Sequence, residues 1–321
     1  MRLGKLNKNT VLLLICALNI IILNFWSQDR KEAIQKAALE SDILMHRMAA
    51  HYYNNDMLLY NQIVEANEEI EKVYRTGTER YINLQLSTRK LIAEKVKEYE
   101  NAVPNLVKKT NPSVVIIEIP YRSFDQYAGE EKIRWGGGTG VVYDNVGHIL
   151  SVAHITTHLE NPDPTLPSPR IRFYDGRTQD ILSASSADDF NYSSPGSADV
   201  GMIKVESTKN YPAIKLGNVN DVSCGQSIVV IGHPFMERYS VSTGVVSRVG
   251  FYKNEPRALL IQVDALINGG NSGGPVMGLD GRCYGVGSFR GHGNSGWPGL
   301  NFFVSTYVIK KWIPELLEEL E

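Results

Sequence analysis

Ile267-Asn268-Gly269-Gly270-Asn271-Ser272-Gly273-Gly274-Pro275-Val276 sets one serine among glycines, between the apolar run Ala258–Val263 and a second apolar run that begins at Val276. The stretch reads as a tight, exposed turn between two strands. Glycine adopts backbone conformations that a Cβ disfavours, and it leaves N–H groups free to point at a bound oxyanion. Ser272 is therefore a candidate nucleophile. A serine hydroxyl is a weak nucleophile near neutral pH, so the chemistry requires a base beside it and a third group that orients the base.

Both partners are found upstream. Ile149-Leu150-Ser151-Val152-Ala153-His154 reads as a short strand that delivers an imidazole at its end, and Ala198-Asp199-Val200-Gly201-Met202-Ile203-Lys204-Val205 opens an apolar strand on an aspartate. Singly, the histidine reads as a half-buried polar residue and the aspartate as a strand-start cap. Together, His154, Asp199 and Ser272 follow one another in the order of the chymotrypsin-like fold, which differs from that of subtilisins and α/β-hydrolases. The pattern Gly-x-Ser-x-Gly at 270–274, with Asp280 and His292 after it, also fits the α/β-hydrolase order. That fold needs a helix after the serine, whereas Gly273-Gly274-Pro275 and a glycine-rich strand pattern follow here.

Gly-Asn-Ser-Gly-Gly-Pro resembles the nucleophile loop of trypsin-like serine proteases, and the asparagine before the serine resembles the HtrA/Deg branch. The resemblance extends over roughly residues 105–317. Gly136–Val142 is similar to the strand ahead of the histidine, Ile231-Gly232-His233-Pro234-Phe235 to the family's Gly-Asn-Pro loop, and Ser240–Ser247 to the strand after it. His233, Gly201 and Phe303 depart from the pattern, standing where asparagine, alanine and a small residue are usual. His158, one turn past His154, is the weaker alternative base. The resemblance implies an all-β catalytic domain of two six-stranded antiparallel barrels, the first carrying His154 and Asp199 and the second Ser272, closed by a helix over Thr306–Leu320 that Pro314 kinks or restarts. Asp175-Gly176 and Asp280-Gly281 mark hairpins.

The resemblance further implies peptide hydrolysis through an acyl-enzyme, with His154 as base, Asp199 as its orienting partner, and the N–H groups of Gly270 and Ser272 as the oxyanion hole. Such donors contribute on the order of 3 kcal/mol each. No metal or cofactor is required. Leu266, six residues before the serine, falls at the floor of the primary pocket, with Ser288, Phe289 and Arg290 along its wall. A leucine floor implies preference for a small or medium apolar residue before the scissile bond. The partners implied are polypeptide substrates and, by family resemblance, further copies of the chain in a trimer. No PDZ module is expected after the last helix. The competing reading is a catalytically silent protease-fold module, for binding or chaperone work, tethered to the membrane.

The remainder of the 321 residues is organised around that domain. A net charge of −2 supplies no electrostatic attraction for nucleic acid, and three cysteines (Cys16, Cys224, Cys283) are too few for a disulfide framework. From Asn9 to Gln28 there is no charge, and Val11–Trp26 is nearly all apolar, about the length required to cross a bilayer as a helix. Arg2, Lys5 and Lys8 precede it, which places the N-terminus in the cytoplasm and the protease in the periplasm or outside the cell. The end of the run lacks the small residues of a signal-peptide cleavage site, so the segment reads as an uncleaved anchor. Residues 29–103 are rich in Glu, Lys, Ala, Leu, Gln and Arg, with apolar residues at three- and four-residue steps, and read as a helical stalk or loose coiled coil. The expected organisation is thus 1–28 cytoplasmic end and anchor, 29–103 stalk, and 104–321 catalytic domain.

Overall fold

The run Val114-Val115-Ile116-Ile117 is β-branched at every position and has no polar face, as a strand covered on both sides requires. In the computed structural model, which describes residues 78–126, 129–187, 191, 198–251, 259–290 and 301–321, it opens β1 (Val114–Asp125), and all four residues are buried. β1 pairs with β2 (Glu130–Val142) in one long hairpin, from Val114 opposite Val141 to Asp125 opposite Glu130. The base of the hairpin lies in the core and its outer part is largely exposed. The same sheet takes in β3 (His148–Ser151), β4 (Arg170–Arg172), β5 (Thr178–Asp180), β6 (Ser183–Ser186) and β7 (Gly201–Lys204), in the order β5-β4-β1-β2-β3-β7-β6. A seven-stranded sheet thus stands where a six-stranded barrel was expected. β5 and β6 are Thr-Gln-Asp and Ser-Ala-Ser-Ser, polar edge strands that exist because β4 and β7 offer them a ladder.

Glu118 fixes the pairing of β1 with β4. Its carboxylate, only 5% exposed, accepts from Arg170 Nε at 2.5 Å, Arg172 Nε at 2.6 Å and Arg172 Nη2 at 3.0 Å. Burial raises its pKa, but the hydrogen bonds and charges of Arg172 and Arg170 outweigh that and hold it below the usual carboxylate range. A slip of one residue would turn this charge to the other face without its partners.

The second half is the closed six-stranded barrel expected there. It is built from β8 (Ser227–Gly232), β9 (Ser240–Phe251), β10 (Leu259–Val263), β11 (Pro275–Gly278), β12 (Cys283–Arg290) and β13 (Asn301–Ser305), in the order β10-β13-β12-β11-β8-β9. Val230, Ile261, Val263, Val276 and Phe303 fill its interior. Both expected hairpin turns form: Asp175 and Asp280 each accept the backbone N–H two residues on, at 3.0 and 3.1 Å, around a glycine of positive φ. Cys224 is exposed and Cys283 buried, and both are free; burial pushes the Cys283 thiol up to about 12, as befits a core residue.

The chain divides into two units, Met1–Asn101 and Ala102–Glu321. The described part of the first contains one helix, α1 (Thr78–Glu100), with Leu86 and Leu91 exposed. The expected anchor at 11–26 and the rest of the expected stalk, through residue 77, lie outside the described residues; among those described, no helix is long and apolar enough to cross a membrane. The second unit opens on α2 (Ala102–Thr110), where Val103-Pro104 was expected to end the stalk. Pro104 stands in the first helical turn, where its missing N–H is no loss. α3 (Ala153–Glu160) follows β3, and α4 (Thr306–Glu318) ends the chain. α4 runs unbroken through Pro314, burying Val308, Ile309, Trp312, Ile313 and Leu316 in the core shared with the first sheet. Ser185 Oγ on β6 donates to the Leu316 carbonyl at 2.9 Å, satisfying one acceptor of its last turn.

Candidate active site

The first half of the site is built at the joint between β3 and α3. Val152 is still extended, and its carbonyl accepts from the N–H groups of Ile155 and Thr156, so His154 lies in the first turn of α3. N–H groups there have no helical partner. That of His154 donates to Asp199 Oδ1 at 2.9 Å, while His154 Nδ1 and Asp199 Oδ2 are 2.8 Å apart. A third donor, Ser288 Oγ on β12, reaches Asp199 Oδ2 at 2.5 Å. The carboxylate is thereby buried and anchored at both oxygens. An ionised carboxylate only accepts, so the imidazole proton sits on Nδ1 and Nε2 is left as the basic nitrogen.

The second half is the turn between β10 and β11. Gly270 and Gly273 have φ of +101° and +81°, and a Cβ would lie 2.2 Å from the His233 carbonyl oxygen at the first and 2.0 Å from that of Thr139 at the second. No other residue fits either place. Thr139 on β2 grips the turn twice, its N–H donating to the Ser272 carbonyl at 2.8 Å and its hydroxyl to that of Gly270 at 2.7 Å. Ser151, three residues before His154, donates to the Thr139 carbonyl at 2.9 Å. On the other side Gly273 N–H donates to Gly287 and Gly287 N–H to Gly274, at 2.7 and 2.8 Å. Gly287 thus holds the serine turn and its neighbour Ser288 holds Asp199, so one strand sets the spacing of the two. Among the described residues, neither the Gly270 nor the Ser272 N–H donates to a backbone carbonyl.

Residues 138–286 match the trypsin-like peptidase domain family. Over 226 residues the chain is 30% identical to Protease Do-like 5, chloroplastic, of Arabidopsis thaliana, a match covering 66% of this chain and 68% of that protein. The chain belongs to the HtrA/Deg family of trypsin-like serine endopeptidases. It is also 29% identical over 224 residues to serine protease HTRA1 of Xenopus tropicalis, covering 67% of this chain but 43% of that relative. In fold, the HtrA-type protease AlgW with decapeptide is similar at a TM-score of 0.54 and 22% identity, over 67% of each chain.

Within this HtrA-type domain the residues expected to form the primary pocket separate. Leu266 is 70% exposed and forms no enclosed floor; its carbonyl accepts from Ser242 Oγ at 3.0 Å. Ser288, expected in the wall, is buried and turned to Asp199. Phe289 and Arg290 pair along the backbone with Phe302 and Asn301, and their side chains lie outside the described residues. Phe303 is wholly buried among the residues of the second barrel. The part of Ser288 in holding Asp199 and that of Thr139 in holding the serine turn were not legible in sequence, since both bonds join strands far apart in the chain.

The other two departures have local causes. Gly201 leaves room for Thr156 on α3: a Cβ there would lie 2.1 Å from Thr156 Oγ1, which is itself 2.7 Å from Ser186 Oγ. Gly201→Ala is expected to cost about 1–3 kcal/mol by overpacking. Denaturant unfolding of the cycle with Thr156→Ala should report a coupling of about 1 kcal/mol or more; additive effects would place the strain elsewhere.

His233 is fully buried, with Nδ1 accepting from Tyr239 N–H at 2.9 Å and its own N–H donating to Thr139 Oγ1 at 3.2 Å. Burial, assisted by the charge of Arg238, pushes its pKa down from 6.5 to about 4. The unfolded chain therefore binds the extra proton between those values. The stability that this group contributes is complete above pH 6.5 and shrinks as pH falls to about 4, by about 3 kcal/mol. In urea titrations from pH 7 down to pH 4.5, wild type should lose stability faster than His233→Asn. Parallel pH profiles would show that His233 titrates normally in the folded state.

Proposed function

We propose that this chain cleaves peptide bonds through an acyl-enzyme in which Ser272 is the nucleophile, His154 the base and Asp199 its orienting partner. The observation that carries the reading is the grip of one carboxylate on both the ring and the backbone of His154, with β12 joining that carboxylate to the serine turn. His154 Nε2 takes the Ser272 proton as Oγ bonds to the substrate carbonyl carbon. The proton then passes to the leaving amine as the C–N bond breaks, and water, deprotonated by the same nitrogen, hydrolyses the ester. The Gly270 and Ser272 N–H groups stabilise the tetrahedral oxyanion.

The uncharged run at 11–26, with basic residues before it, supports a membrane anchor that leaves the protease on the extracytoplasmic side, working in protein quality control or regulated proteolysis. The test is labelling of the full chain by a fluorophosphonate probe. Labelling is expected at Ser272 and is expected to vanish in Ser272→Ala. A chain that stays unlabelled while cleaving no peptide would refute the reading and favour a silent binding module.

A further inference from the structure

A cavity of about 590 Å³ opens beside His154, and every described residue lining it lies between Ile119 and Pro169. Its walls are Ile119, Pro120 and Tyr121 of β1, Ile155 of α3, and Leu166 and Pro167 of the loop that follows α3. Among the described residues, the second barrel contributes nothing to it. His154 hands its proton to the leaving amine, so the substrate residues after the scissile bond must run off on the His154 side. The residues before that bond lie toward Ser272 and β12. The cavity thus adjoins the position of the leaving amine, and its described walls come from β1, β2, α3 and the loop after α3.

From this placement we infer that the cavity is a binding site for the leaving-group half of the substrate, taking a large apolar or aromatic side chain one or two residues beyond the scissile bond. The inference rests on the catalytic reading given above and adds to it a specificity site that the serine loop does not supply. Ile119, Ile155, Leu166 and Pro167 offer an apolar lining and Tyr121 an aromatic one, and the polar side chains on it, His158 and Asp163 besides His154, are a minority of the wall.

The outer wall is preorganised. The loop carries Pro162, Pro164, Pro167 and Pro169, each of which fixes φ. Asp163 Oδ1 accepts from the Thr165 N–H and hydroxyl at 2.8 and 2.6 Å, and the Asp163 carbonyl accepts from Leu166 N–H at 3.1 Å. Arg122 Nη2, from β1, donates to Thr165 Oγ1 at 2.9 Å and ties the loop to the opposite wall. A wall held this way loses little entropy when a side chain enters.

The experiment uses the full chain and a peptide library with a fixed acyl half and the two residues after the scissile bond varied. The readout is kcat/KM per active site, with active sites counted by fluorophosphonate labelling. Leu or Phe at one of the two positions is expected to be favoured over Gly or Ser by at least about tenfold. In Tyr121→Ala and in Leu166→Asp that ratio is expected to fall to about threefold or less, and a ratio is insensitive to the fraction of folded protein. Labelled, active protein that cleaves all library members alike, or variants that keep the full ratio, would overturn the inference while leaving Ser272 as nucleophile. Absence of both labelling and cleavage would overturn the catalytic reading and this inference with it.

Discussion

Asp199→Asn is expected to lower kcat by about 10⁴-fold while leaving the domain folded. The direction of the amide decides the outcome. The His154 N–H donates to Oδ1, so the asparagine carbonyl must stay at that position and its NH₂ takes the place of Oδ2. That group then faces His154 Nδ1 and the Ser288 hydroxyl, which in the wild type meet Oδ2 at 2.8 and 2.5 Å. Ser288 can turn its lone pair to the new donor. The imidazole can accept only by moving its proton to Nε2, the nitrogen that must be free to receive the proton of Ser272. Steady-state cleavage together with nitrogen NMR of the His154 ring tests both halves of the argument. A variant with near-normal kcat, or with the proton still on Nδ1, would show that the carboxylate does not set the tautomer.

Ser272→Ala is expected to reduce kcat by on the order of 10⁶-fold, leaving a residue of catalysis from the Gly270 and Ser272 backbone donors and from substrate binding. The backbone of the turn should survive, because what shapes it is the conformation of Gly270 and Gly273 and the grip of Thr139 and Gly287, none of which uses the serine hydroxyl. Nucleophile, base and orienting group act as one unit, so the double variant Ser272→Ala/Asp199→Asn should be no slower than Ser272→Ala alone. Multiplying losses would mean that Asp199 serves some step other than activation of this serine.

Much of the site could be read from local patterns. The serine between two positive-φ glycines forms as read, whereas the strand before the histidine ends at Ser151 and His154 opens α3, and Asp199 stands two residues ahead of β7. The closed second barrel was implied by the family resemblance, and its six strands close as expected. The first half was misread as a six-stranded barrel because β5 and β6 are short and polar and depend on their neighbours for their ladders. The pocket was misread because position relative to the serine along the chain does not determine exposure; Leu266 falls on an open loop, and Ser288 is turned inward by Asp199.

From its residues alone this chain declared its glycine-flanked serine turn and the chain order of His154, Asp199 and Ser272, because backbone permissiveness and hydrophobic patterning act between near neighbours. Tertiary structure decided which serine braces Asp199, which threonine holds the turn, why Thr156 needs a glycine at 201, and that a proline-stiffened loop walls a cavity beside His154. Each of these is a contact between segments distant in sequence, set by how two β-layers pack, and no local pattern encodes the distance between them.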